Sequence, residues 1–356
     1  MSRFIKLAFA AFFIIIAAAL SFQNSPKTGI RILIDRAPNT LAAGQSPDVM
    51  ARKILPLLTE LGYTAPAAPD LEDFTLLPPS PDKPALHFRV VKDDLTRGVL
   101  FERGSADVLF DTLSLSKTRF LQEHGAALLS PRGWHLSFIG FNLRNPALKN
   151  RAVRKAIAKA LPVRAWIEKK YFGFVDPVDP LPGFDPAGAQ QDLDRAGFRA
   201  NRDGIRLTLR YLTTPVREGN ELALLTREAL KQIGIRVEVS PLESSLFFSR
   251  LGTGEFELFG SRILRAGPDT PVAGSFKTGG LRNYFDYSNP ELDSRLTTHP
   301  DASWAELAPL LLDDPPLIPL FTWRHGLLLS KRIRKDSLRE SDLDDSFRFL
   351  SRLPLN

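Results

Sequence analysis

The chain has no cysteine, which removes disulfides, thiolate metal sites and a cysteine-linked lipid from consideration together. Histidine is nearly as scarce. The five present, His87, His124, His135, His299 and His325, stand singly, and none has a neighbour at metal-ligand spacing. No Gly-x-Ser-x-Gly elbow and no Walker-type loop occurs. Gly252-Thr253-Gly254 leads into a strand pattern instead of opening a helix, the wrong setting for a phosphate cradle. The acidic pairs Asp313-Asp314 and Asp344-Asp345 are neighbours in sequence, so they do not converge on one bond and are expected in solvated turns. With no seat for nucleophile, metal or paired acid and base, the chain is expected to be no enzyme and to use no cofactor.

What is present describes a globular protein. A length of 356 residues suggests two domains, and 44% hydrophobic with 24% charged residues is ordinary composition. The formal charge of +7 is spread along the chain, so nucleic acid is not an expected partner. Arg3 and Lys6 followed by the apolar run Leu7 to Phe22, with the small-x-small triplet Ala19-Leu20-Ser21, have the form of a signal peptide over residues 1–21. Export to the periplasm is the expectation, with an uncleaved N-terminal anchor as the alternative.

Periodicity then places the elements. Ile30 to Ile34, Leu86 to Val91 and Ala106 to Phe110 read as strands, with helices at Asp48 to Leu61, Leu95 to Arg103 and Ser114 to Glu123, the last capped by Ser114. Ala65 to Pro84, rich in proline and aspartate, is expected to lack regular structure. After a strand at His135 to Asn142, Asn150 caps the clearest helix, with Ala152, Val153, Ala156, Ile157, Ala160 and Leu161 inward. Arg151, Arg154, Lys155 and Lys159 are expected on its solvated face.

Ile205 to Tyr211, Glu221 to Ile233 and Ile235 to Val239 form a βαβ unit, extended by a helix at Ser244 to Leu251 and a strand at Glu255 to Ile263. Strands alternating with helices make parallel sheets, whose ligands bind beyond the carboxyl ends of the strands. The loops that follow Thr213, Pro241 and Arg262 are therefore the places for a site.

Phe138-Ile139-Gly140-Phe141-Asn142, followed by Asn150 through Leu161, resembles the family 5 extracellular solute-binding proteins, the dipeptide, oligopeptide and nickel-binding components of ABC importers. The resemblance continues through Leu230 to Glu238, Asn283 with Tyr287 to Asp293, and Pro315 to Phe321. It implies an α/β, two-lobed periplasmic-binding-protein-like fold of type II, cluster C-like, without the family's extra small domain, for which Ala65 to Pro84 has no room. Lobe one is expected over 28–132 plus about 336–356, and lobe two over 133–335.

The function implied is capture of a peptide-like or other small ligand between the lobes, which close over it, and delivery to an ABC transporter permease by a monomer. A degenerate module acting as sensor or partner-binding protein is the alternative. Candidate ligand contacts are Arg262, Arg265 and Asp269, with Asn142 at the lobe junction and Trp134 and Trp323 as aromatic walls. Peptide binders of this family hold the ligand's amino group with an aspartate, and the corresponding position here is Ala266. Arginine forks suit carboxylates and phosphates, so an acidic or amino-blocked ligand is expected.

Overall fold

The computed structural model describes residues 29–42, 47–67, 69–110, 113–179, 181–265, 272–334, 338–340, 343 and 346–354. The leader expected over 1–21, and with it Ala266 and Asp269, lies outside these residues. The chain divides into two compact units, Met1–Gly133 with Arg324–Asn356, and Trp134–Trp323.

The first unit opens with β1 (Gly29–Ile34), α1 (Val49–Thr59), β2 (Asp73–Leu76), β3 (Ala85–Val90), α2 (Asp94–Glu102), β4 (Val108–Phe110), α3 (Leu115–Glu123) and β5 (Ala127–Leu129). Then come β6 (Arg132–Phe141), α4 (Pro146–Lys149), α5 (Arg151–Lys159), α6 (Val163–Lys170), β7 (Val175–Pro177), α7 (Pro186–Arg195), β8 (Leu207–Thr213), α8 (Arg217–Lys231), β9 (Ile235–Pro241), α9 (Ser244–Thr253) and β10 (Leu258–Arg265). The second unit ends with α10 (Ala273–Phe276), α11 (Pro290–Thr298), α12 (Trp304–Asp313) and β11 (Leu317–Arg324), and the chain returns with β12 (Leu327–Leu329) and a 3-10 helix, Arg348–Arg352.

In the first unit the sheet order is β2-β3-β1-β4-β12-β5, with β1 parallel to both β3 and β4. Both faces of β1 are covered, as a central parallel strand requires. Ile30, Ile32 and Ile34 pack with Met50, Ile54 and Leu57 of α1 on one side, while Leu33 joins Leu100, Phe101 and Leu121 on the other. The return to this unit comes at Arg324 instead of near residue 336, because β12 is a strand of the first sheet, antiparallel to β4 and β5. Phe347 and Phe349 then pack edge-on against Phe110.

Two local expectations need correction. Ala65 to Pro84 contains β2, paired antiparallel with β3 so that Asp73 faces Arg89 and Phe74 stacks on Phe88 with centroids 5.1 Å apart. Ser114 precedes α3 but makes no side-chain capping hydrogen bond.

The second unit carries the sheet β7-β11-β6-β10-β8-β9, in which β8 runs parallel to β9 and β10, and β6 is antiparallel to β10. Asn150 caps α5 by accepting from the amide of Ala152 at 2.9 Å. Arg154, expected in solvent on the basic face of α5, is only 2% exposed. Its Nε donates to the carbonyl of Pro315 at 2.8 Å, and Nη1 donates to those of Leu148 at 2.6 Å and Lys149 at 3.0 Å. Nη2 pairs with Asp314. Burial lowers the pKa of this guanidinium, and Asp314 opposes the shift. Asp313 pairs with Arg151 and Lys155, so the acidic pair anchors α5 where a turn of free carboxylates was expected.

Candidate ligand cavity

A concavity of about 270 Å³ opens in the second unit near the carboxyl end of β8, where the strand rule places a site. Thr214, Val216, Glu218, Gly219 and Leu222 supply one wall from the β8–α8 turn and the first turns of α8. Phe247 and Phe248 of α9, Gly260 to Arg262 of β10, Ser137 of β6, Tyr171, and Phe321 and Trp323 of β11 supply the rest. Gly260 is needed here for its size, because a Cβ at this position would lie 2.3 Å from the hydroxyl of buried Tyr211.

The aromatic side of the wall is packed edge to face. Tyr171 and Phe321 have ring centroids 4.5 Å apart, and Tyr171 meets Trp323 edge-on at 5.5 Å. The indole Nε1 of Trp323 donates to Ser137 Oγ at 2.7 Å, which fixes the ring. The guanidinium of Arg262 lies 4.8 Å from that ring's centroid, a cation–π contact.

Arg262 reaches Trp323 through a β-bulge. Ser261 pairs with Phe138 and Leu264 with Leu136, so three steps along β10 match two along β6. The extra residue falls at Arg262-Ile263, where it breaks the in-out alternation of the strand and re-aims the side chain. Arg262 and Arg265 were expected in a strand-end loop, whereas β10 runs through Arg265, and Arg262 sits within the strand.

The other candidates separate. Trp323 and Arg262 line the cavity together. Asn142, expected at the ligand, is 4% exposed and committed to the backbone: its amide donates to the carbonyls of Gly254 at 2.9 Å and Phe256 at 2.7 Å, and its oxygen accepts from the amide of Arg144. It is absent from the cavity wall. Trp134 and Arg265 are placed by backbone alone, in β6 and β10. Among the described residues no group of three His, Asp or Glu side chains is arranged to hold a metal ion.

Sequence reading passed over Tyr171 and Glu218. Tyr171 is 3% exposed at the end of α6, where Phe172 and Gly173 take positive φ and reverse the chain. Burial pushes its phenol pKa up, the charges of Glu221 and Glu218 add to the shift, and Arg262 opposes it. The visible signal was the cluster Tyr171-Phe172-Gly173-Phe174 directly after an amphipathic helix.

Residues 79–280 match the family described as bacterial extracellular solute-binding proteins, family 5 Middle, which covers more than half of the chain. The chain belongs to this family. Among curated proteins, the oligopeptide-binding protein OppA of Mycobacterium tuberculosis is 24% identical over 190 residues, 46% of this chain and 31% of the relative. The match thus spans about a third of the length of that relative. Among solved structures, NikA from Brucella suis in complex with Fe(III)-EDTA superposes with a TM-score of 0.72 at 18% identity, covering 83% of this chain and 68% of NikA. A putative peptide binding protein AppA from Clostridium difficile gives 0.69 at 19% identity, with coverages of 83% and 67%. This family 5 protein therefore has the mixed α/β, periplasmic-binding-protein-like fold with two sheets, in a chain shorter than those neighbours. Among its described residues no helix is long and apolar enough to cross a membrane.

Proposed function

We propose that this family 5 protein is the substrate-binding component of an ABC importer, taking up a small, peptide-like ligand in the Trp323 cavity and presenting it to a membrane permease. The observation that carries the reading is the cavity itself: a mostly apolar concavity with a few polar groups, near the carboxyl end of a parallel strand, is the usual form of a small-molecule site. Membership of a solute-binding family supports it. The ligands bound in structurally similar proteins range from a metal chelate to a nonapeptide, so the ligand is left open and the cavity must define it.

Native mass spectrometry of protein purified from its own host tests this reading. The expected result is a small-molecule adduct on the wild-type chain that is lost in Val216→Trp, which places a bulky ring at the half-exposed rim of the cavity. An adduct that survives the substitution puts the ligand elsewhere.

Export is part of the same reading, with the chain working as a monomer in the periplasm after loss of residues 1–21. N-terminal sequencing of the periplasmic protein is expected to begin near Phe22. Recovery of the full-length chain from the inner-membrane fraction alone would make the segment an anchor.

A further inference from the structure

We infer that the Trp323 cavity selects a ligand bearing a primary ammonium group beside a single ring, and that Glu218 and Tyr171 set this preference. The inference rests on the cavity being the ligand site, as proposed above.

It follows from which hydrogen-bonding groups in the wall are held by the protein, with Arg262 keeping its charge against the Trp323 ring. The indole N–H of Trp323 is given to Ser137, and the guanidinium of Arg262 lies against the Trp323 ring. By contrast, the carboxylate of Glu218 has no hydrogen bond or ion pair to any described residue, and the hydroxyl of the buried Tyr171 likewise has no partner among them. A carboxylate and a phenol oxygen are both acceptors, and an ammonium group brings three donors and the opposite charge. A neutral or anionic group would leave Glu218 desolvated and unpaired when the ligand enters. The half-buried ring of Trp323 and the exposed ring of Phe248 supply the complementary surface for the ring of the ligand, with Tyr171 and Phe321 packed behind. The volume of about 270 Å³ has room for one ring and its amine. The wall thus reverses the expectation from Ala266 and the arginines: the amine anchor is moved from the strand-end loop to the first turn of α8.

Isothermal titration of the mature chain with the dipeptide Phe-Ala and its N-acetylated form decides the matter. A hydrogen-bonded charge is worth a factor of roughly ten or more, so the free amine is expected to bind at least that much tighter than the blocked form. Glu218→Gln should bring the two peptides to within about twofold of each other by weakening the free form and sparing the acetylated one. Tyr171→Phe should reduce the preference without abolishing it. Equal or tighter binding of the acetylated peptide by the wild-type chain overturns the inference, as does a preference that survives Glu218→Gln. If neither peptide binds, or if binding persists in Val216→Trp, it is the assignment of the cavity that fails, and the inference with it.

Discussion

Replacing Asp107 with alanine is expected to destabilise the first unit by about 3–5 kcal/mol, the usual cost of removing one partner from a buried ion pair. Asp107 has no exposed surface, yet it accepts from the amide of Arg31 at 3.0 Å and from that residue's Nε at 2.9 Å. Arg332 Nη1 approaches the same carboxylate at 3.1 Å, and Ser330 Oγ donates to it at 3.1 Å. Two arginines from opposite ends of the chain thus share one carboxylate just before β4. Hydrogen exchange should register the loss as faster labelling of peptides covering β1, β4 and β12, because local opening follows local stability. Asp107→Asn, which keeps an acceptor but not the charge, should fall between wild type and alanine. Unchanged exchange in the alanine variant would mean that the three strands are held without this carboxylate.

In the second unit Arg154→Ala is expected to have an effect of similar size, again about 3–5 kcal/mol, for a different reason. The side chain is the common donor for three backbone carbonyls and Asp314, which joins the end of α4, the body of α5 and the segment leading into β11. Alanine leaves these acceptors buried without donors and opens a cavity as well. Urea unfolding followed by tryptophan fluorescence reads this directly, since all four tryptophans, at 134, 166, 304 and 323, lie in the second unit. Arg154→Lys should recover part of the loss, because an ammonium group can keep Asp314 but cannot serve all three carbonyls with the fork of a guanidinium. A lysine variant as stable as wild type would show that charge alone matters here.

The contrast between these arginines and the helices around them shows how far sequence carries. The apolar stripe from Val153 to Leu161 and the alternation from Leu207 to Tyr211 are local patterns, so α5 and β8 were visible without a structure. The burial of Arg154 was not, since its partners Asp314 and Pro315 lie about 160 residues away and nothing near Arg154 announces them. β2 was hidden for a similar reason: its strand character comes from pairing with β3, while its own neighbours are turn-forming residues. In the candidate site, Arg262 and Trp323 were singled out by residue type, the one as a guanidinium expected in a strand-end loop and the other as an aromatic wall. The bulge that turns Arg262 onto the indole is a property of two strands in register, and no single strand encodes it. Asn142 donates to two carbonyls, and in sequence a polar residue at a strand end looks the same whether it does this or faces a ligand.

The position of β12 between β4 and β5 sets the order in which the molecule can be completed during synthesis. When the ribosome has released β5, the first sheet still has a gap between its fourth strand and its last, and the edges flanking that gap have unpaired backbone groups until residue 329 emerges. The whole of Trp134–Trp323 is made in the interval. The unit begun second is thus the first to have all its strands, and the unit begun first waits for Leu327–Leu329 to enter its sheet and for Phe347 and Phe349 to reach its core. Until Leu327–Leu329 is in place, the facing edges of β4 and β5 lack their partner, and open strand edges of this kind invite pairing with another chain.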